Sequence, residues 1–255
     1  MLNKFILLTV SIMLFLAVKL QASDKSIVEL RDSINKYYYS FDEFKLREFI
    51  VKTDKLLSEA EENKHILQYY SGTLRYCYGR VIYNKNRDKA YEIFDESLDL
   101  FIDAWEENNN PIYLAMQSAA YGKKSALSPL RAIFFGQKAK NRIYDAFNLD
   151  SNSSKILLVA ATHLMHIPSF YGGDKDKARR LLLKCLELNK QKITKDIYEL
   201  DWASDAEIYA YLAQIDILED NLDSAEKYIQ AALNLKPNYG FVKIDLRNQI
   251  SDAGK

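Results

Sequence analysis

Residues 206–239 read AEIYAYLAQIDILEDNLDSAEKYIQAALNLKPNY, and this stretch decides how the chain folds. Its apolar residues recur three and four apart, the period of a helix with one buried side. Asp220-Asn221 interrupts the pattern and Pro237-Asn238 ends it, so the stretch reads as two helices joined by a short turn. Small residues stand at Ala213, Ala225 and Ala232, where two antiparallel helices can cross closely. Larger ones stand at Tyr209, Leu212 and Ile229, where they fill the seam to the next helix. Two helices cannot bury such faces alone, so further pairs must stack on them.

Working outward, the same three-and-four spacing runs through nearly all of the chain after Asp24. It predicts helices over 26–39, 44–60, 66–83 and 89–106. Punctuation then marks the later ones. Asn108-Asn109-Asn110-Pro111 breaks one helix and starts another, and Ser128-Pro129 sets a capping residue before a first-turn proline. Asp150-Ser151-Asn152-Ser153 is a turn ending in a cap, Ile167-Pro168 closes a helix, and Gly172-Gly173-Asp174 opens the next with Asp174 as its cap. Ser204-Asp205-Ala206-Glu207 has the spacing of a capping box. About eleven helices result, with no strand-like alternation between them.

The 34-residue stretch resembles a tetratricopeptide repeat. The resemblance rests on Tyr209 at the fourth position, Leu212-Ala213 at the seventh and eighth, Ala225, Ile229, Ala232 and Pro237. Weaker second helices of the same kind begin near Ala90, Ala139 and Ala178; with Ala225 these markers are spaced by 49, 39 and 47 rather than 34. The resemblance implies an all-α protein, an irregular right-handed α-solenoid of TPR-like hairpins, about eleven helices after a signal peptide. The best repeat is 206–239, and a capping helix follows over 240–251. A second stretch is similar to the T-component of tripartite ATP-independent periplasmic (TRAP) transporters, through a proline turn and Tyr-Gly-Gly-Asp ahead of a helix: Pro168, Gly172, Gly173, Asp174, Lys177 and Ala178. That resemblance implies a helical protein that oligomerises and docks on a periplasmic solute-binding subunit, and it fades after Leu188.

The N-terminus reads as an export signal, residues 1–22, ahead of one helical domain over 23–255. Lys4 supplies the positive start, Phe5 to Val18 an apolar run, and Leu20-Gln21-Ala22 a small residue for cleavage. The run is short of the ~20 residues that span a bilayer, although a retained anchor is the rival reading. No cysteine follows it to carry a lipid anchor. Lys+Arg and Asp+Glu balance at 35 each, so no basic face for nucleic acid is indicated. Gly (8) and Pro (4) are scarce, which favours helices. The 18 tyrosines suit helix seams, where the ring packs and the hydroxyl finds a partner. Cys77 and Cys185 match no metal or redox spacing and fall on apolar helical faces, so two buried thiols are expected.

Candidate chemistry is sparse. His163 and His166 share one face, with Asp174 near in sequence, but no third histidine or paired cysteine completes a metal set. The repeat register puts His163 on the inner side of its helix and His166 against the partner helix. The glycine pair before Asp174 precedes a helix N-terminus that attracts anions, but Asp174 is itself negative and a conformational role for the glycines suffices. Tyr37-Tyr38-Tyr39 and Tyr69-Tyr70 read mainly as packing, with an interface as the alternative. There is no Gly-x-Ser-x-Gly elbow, His-Glu-x-x-His pair or nucleotide fingerprint. In the repeat register Arg75, Tyr121, Lys124, His163 and Gln214 line the groove that holds partners in this fold. The sequence therefore predicts an exported, periplasmic or otherwise extracytoplasmic scaffold that binds a protein or peptide. No catalytic residue, metal or cofactor is expected, and a homo-oligomer is compatible. The alternative is an accessory of a solute transport system.

Overall fold

The computed structural model describes residues 25–191 and 196–253, so residues 1–22, read above as an export signal, lie outside the described residues. Those residues form eleven α-helices and no strand. They are α1 (25–37), α2 (Glu43–Glu59), α3 (Lys64–Ile82), α4 (Arg87–Glu107), α5 (Pro111–Leu127), α6 (Ala132–Leu149), α7 (Ser154–His166), α8 (Lys175–Gln191), α9 (Asp205–Ile217), α10 (Leu222–Leu235) and α11 (Arg247–Ala253). A π-helical turn, Phe241–Leu246, runs directly into α11. No helix among the described residues is long and apolar enough to cross a membrane.

The starts of the helices follow from their capping residues. Asp42, Asn86 and Asp174 each accept a hydrogen bond from the backbone N–H three residues on, at 2.7–3.0 Å. Asn110 accepts from Ile112 N–H ahead of Pro111. At the 168–174 turn the two glycines have different jobs. Gly172 takes a positive φ of 96°. A Cβ on Gly173 would come within 1.7 Å of the Ile167 carbonyl oxygen, so no side chain fits there.

Neighbouring helices pair as α3/α4, α5/α6, α7/α8 and α9/α10, and the pairs stack in series through α4/α5, α6/α7 and α8/α9. Small residues set the closeness of each pair. A Cβ on Gly72 would lie 2.7 Å from the Phe101 ring and one on Gly79 2.7 Å from the Phe94 ring. Ala213, Ala225 and Ala232 are fully buried in the last pair, with Leu212 and Ile229 beside them. Tyr209 stacks on Tyr228 at 6.1 Å, and Pro237 follows the end of α10. The first helices also touch one another in order, α3 to α5 to α7 to α9. They therefore form the tight, inner side of the array and the second helices the outer side, the arrangement of a TPR-like solenoid.

The array does not leave its inner side open. After α1 the chain turns back onto the last hairpin. Gly240 N–H donates to the Tyr39 carbonyl at 2.7 Å, and the Tyr39 and Tyr239 rings meet edge to face at 4.9 Å. Asp201 N–H donates to Asn35 at 2.6 Å, and the Tyr39 hydroxyl donates to the Asp201 carbonyl at 2.7 Å. Residues 196–204 roof the N-terminal halves of the first helices. Tyr70 of α3 donates to the Tyr198 carbonyl, the Trp202 indole N–H donates to Tyr69, and Lys155 of α7 pairs with Glu199. The tyrosine pairs at 38–39 and 69–70 thus serve closure of the chain on itself, and all four are buried.

The residues spaced as a capping box do something else. Ser204 makes no side-chain cap to its helix, and its hydroxyl shares a hydrogen bond with the Tyr39 hydroxyl at 2.7 Å. Glu207 accepts from Ala203 N–H at 2.8 Å and from Tyr38 at 3.1 Å, with Arg80 of α3 at 3.9 Å. The Arg80 guanidinium lies between the rings of Phe41 (5.0 Å) and Phe241 (5.1 Å). One buried carboxylate on α9 is therefore tied to the N-terminal segment, to α3 and, through Arg80, to the C-terminal turn. Its cap role is displaced because Ser204 and Glu207 are both drawn to buried partners that water would otherwise replace.

Candidate cavity on the inner face

The C-terminal halves of the first helices are not roofed by 196–204. They border a cavity of about 920 Å³, closed on its far side by the π-helical turn and α11. Tyr76 and Arg80 come from α3, Gly122 and Lys123 from α5, and His163 and His166 from α7. Tyr211 and Gln214 come from α9, and Phe241 and Asp245 from the C-terminal turn. Ala119, Ala126, Ala132, Gly136 and Ala139 of the second hairpin contribute small side chains to the lining. A Cβ at Gly122 would meet nothing within 4 Å, so the space there is open.

The cavity brings together two of the five predicted groove residues, His163 and Gln214. Arg75 sits between helices, where its guanidinium binds Asp54 at 2.7 Å and Glu96 at 2.9 Å. Tyr121 is buried beside Leu98 and stacks on Phe135. Lys124 is buried and paired with Asp95, over the rings of Tyr91 and Phe135. The residues that do reach the cavity are their chain neighbours, Tyr76 and Lys123. One position along a helix is a rotation of about 100°, so a register error of one exchanges a groove residue for a packing residue. His166 also lines the cavity, where the repeat register had set it against the partner helix.

The lining carries two cations, Arg80 and Lys123, and one carboxylate, Asp245, and Arg80 also faces Glu207. Burial first, then repulsion from Arg80, pulls the Lys123 ammonium down to about 8, and the attraction of Asp245 is the smallest of the three influences. Burial followed by Lys140 lowers His163 to about 4; His166 is exposed at the cavity edge, and crowding by protein atoms followed by Lys123 lowers it in the same direction, so both imidazoles are neutral at pH 7. Burial raises the Asp245 carboxyl, against the pull of Arg80 and Lys123. Burial raises Tyr76, and it pushes Tyr211 up to about 12. Lys123 has no carboxylate within ion-pair distance among the described residues, and it faces the Tyr83 ring at 5.9 Å. The carboxamide oxygen of the buried Gln214 has no hydrogen-bond partner.

Other candidates stay apart from this chamber. The sulfurs of Cys77 and Cys185 are free and buried, and burial raises both thiols to about 12. No group of three or more metal-ligating side chains occurs among the described residues, so His163, His166 and Asp174 do not converge. Asp174 instead holds the start of α8.

No family model matches the chain and no curated protein is similar to it. Solved structures of like fold include the following two. The thermophilic TPR protein TTC0263 of Thermus thermophilus is 15% identical with a TM-score of 0.58, over 90% of this chain and 98% of that one. The HusA haemophore of Porphyromonas gingivalis is 13% identical with a TM-score of 0.56, over 85% of this chain and 93% of that one.

Proposed function

We propose that this chain is an exported, non-catalytic binding module of the cell envelope, a TPR-like scaffold that carries a ligand on its inner face and meets protein partners with its outer surfaces. The cavity carries this reading. The groove that an extended peptide would occupy is filled along half its length by residues 196–204, and what remains is a chamber of about 920 Å³. That is the size of a small-molecule site, about 300–1,000 Å³. A protein of like fold, HusA, is described as a haemophore, which supports ligand carriage as a use of this architecture. Export rests on the charged, apolar and small-residue order of residues 1–22.

The second reading is an accessory of a solute transport system, similar to the TRAP T-component. The segment Pro168, Gly172, Gly173, Asp174, Lys177 and Ala178 and the cavity that ends at His166 and Ile167 favour it. The two readings share a cavity and differ in the protein partner.

The test is native mass spectrometry on the full chain recovered from the envelope of a producing cell. The expected result is a processed N-terminus and a stoichiometric small molecule, absent from the Gly122→Leu variant, whose new side chain enters the open space of the cavity. An unprocessed cytoplasmic protein with no bound molecule would overturn the proposal.

A further inference from the structure

Resting on the reading of the cavity as a ligand site, we infer that its ligand is an anionic amphiphile, with its negative group at Lys123 and its apolar or aromatic body against the small-residue lining and Tyr76, Tyr211 and Phe241. The first support is position. Lys123 lines the cavity, half-buried, and no carboxylate among the described residues lies within ion-pair distance of it. A partly desolvated cation without a counter-ion is unfavourable, and an anionic ligand supplies the missing partner. The second is the charge around it. Among the charged residues that line the cavity, Arg80 and Lys123 are two cations against one carboxylate, Asp245.

The third support is a pair of donors. Neutral His163 and His166 line the cavity, and each keeps one ring N–H to donate. The fourth is the apolar part of the lining. Ala119, Ala126, Ala132, Gly136 and Ala139 offer small apolar surface and Tyr76, Tyr211 and Phe241 aromatic surface, which suits a chain or ring system.

The experiment uses two fluorescent probes of nearly equal shape on the full chain. 8-Anilinonaphthalene-1-sulfonate carries an anion; N-phenyl-1-naphthylamine lacks it. Wild type should bind both, with the sulfonate tighter. Lys123→Met should weaken the sulfonate by about tenfold or more, the scale of one lost charge-assisted hydrogen bond, and leave the neutral probe within about twofold. Gly122→Leu should abolish both, and leucine in a helix is tolerated better than glycine.

The pH profile gives an independent readout. The groups facing Lys123 are Arg80 and Tyr83 of α3, His166 of α7, Tyr211 of α9 and Asp245 of the C-terminal turn. The histidines titrate near 4 and Tyr211 near 12, so Lys123 is the group that loses its charge as pH rises past about 8. Sulfonate affinity should fall across that range while the neutral probe is unmoved. Equal binding of the two probes, indifferent to Lys123→Met, overturns the anionic ligand but keeps the cavity. Failure of both probes to bind wild type, or binding that survives Gly122→Leu, overturns the site itself.

Discussion

Gly240 offers a substitution whose sign is set by the closure of the chain on itself. Its backbone is helical, φ −60° and ψ −43°, so alanine fits the local conformation. On propensity alone Gly240→Ala should stabilise by up to about 1 kcal/mol. Across the closure, however, a Cβ at this position would lie 2.5 Å from Phe41 Cβ and 3.1 Å from the Ser40 carbonyl oxygen. Carbon atoms normally rest about 3.5–4.0 Å apart, so residues 39–41 must retreat by roughly 1 Å. Phe41 Cβ is fixed to the backbone and cannot rotate away. The retreat strains the 2.7 Å bond from Gly240 N–H to the Tyr39 carbonyl and the packing of Arg80 on Phe41. Overpacking costs about 1–3 kcal/mol and the hydrogen bond about 1 kcal/mol. The net expectation is a loss of about 1–3 kcal/mol. Gly122→Ala is the control: it too sits in a helix but meets nothing, so it should gain up to about 1 kcal/mol. Urea unfolding followed by circular dichroism measures both, and hydrogen exchange over residues 25–41 should quicken in Gly240→Ala. If Gly240→Ala is as stable as wild type, with unchanged exchange, the closure has no energetic content.

Three further outcomes follow from the same geometry. Glu207→Leu or Arg80→Met alone strands a buried partner and should cost about 3–5 kcal/mol, whereas the double variant should cost much less than the sum; additive values in a double-mutant cycle contradict the coupling. His163 and His166 have folded values near 4, below the ordinary ~6.5, so the unfolded chain binds more protons between those limits. Stability should therefore fall as pH drops from about 6.5 to about 4, and His163→Gln should flatten the slope measured by thermal unfolding. Cys77 and Cys185 should resist a thiol reagent in the native protein and react on addition of urea; fast native labelling of either would contradict their burial.

Much of the architecture was legible in the sequence because it is local. The hairpin at 206–239, the cap at Asp174 and the glycine turn at 172–173 all rest on spacings of a few residues. The closure was not legible. Asn35, Tyr38 and Tyr39 meet residues 201–207 and 239–240 across most of the chain, and such pairings leave no periodic mark. The Ser204–Glu207 spacing even pointed elsewhere, since one pair of side chains serves a cap or a distant partner equally well in sequence. Of the residues expected on the inner side, His163 and Gln214 line the cavity, while Arg75 and Lys124 stand one residue from the lining positions Tyr76 and Lys123. The signal for a correction existed in the paired glycines Gly72 and Gly79, whose contacts with Phe101 and Phe94 fix which side of α3 faces α4.

Residues 196–204 roof half of the inner face, the cavity is what they leave, and Trp202 reports on this directly. It is 5% exposed, its indole N–H donates to Tyr69, and Lys155 lies 5.5 Å from its ring. In a Trp105→Phe background it is the sole tryptophan of the two in the chain. Its emission should be blue-shifted, scarcely quenched by acrylamide, and water-like only after global unfolding. Water-like emission, readily quenched in the native protein, would contradict the roof and with it the cavity.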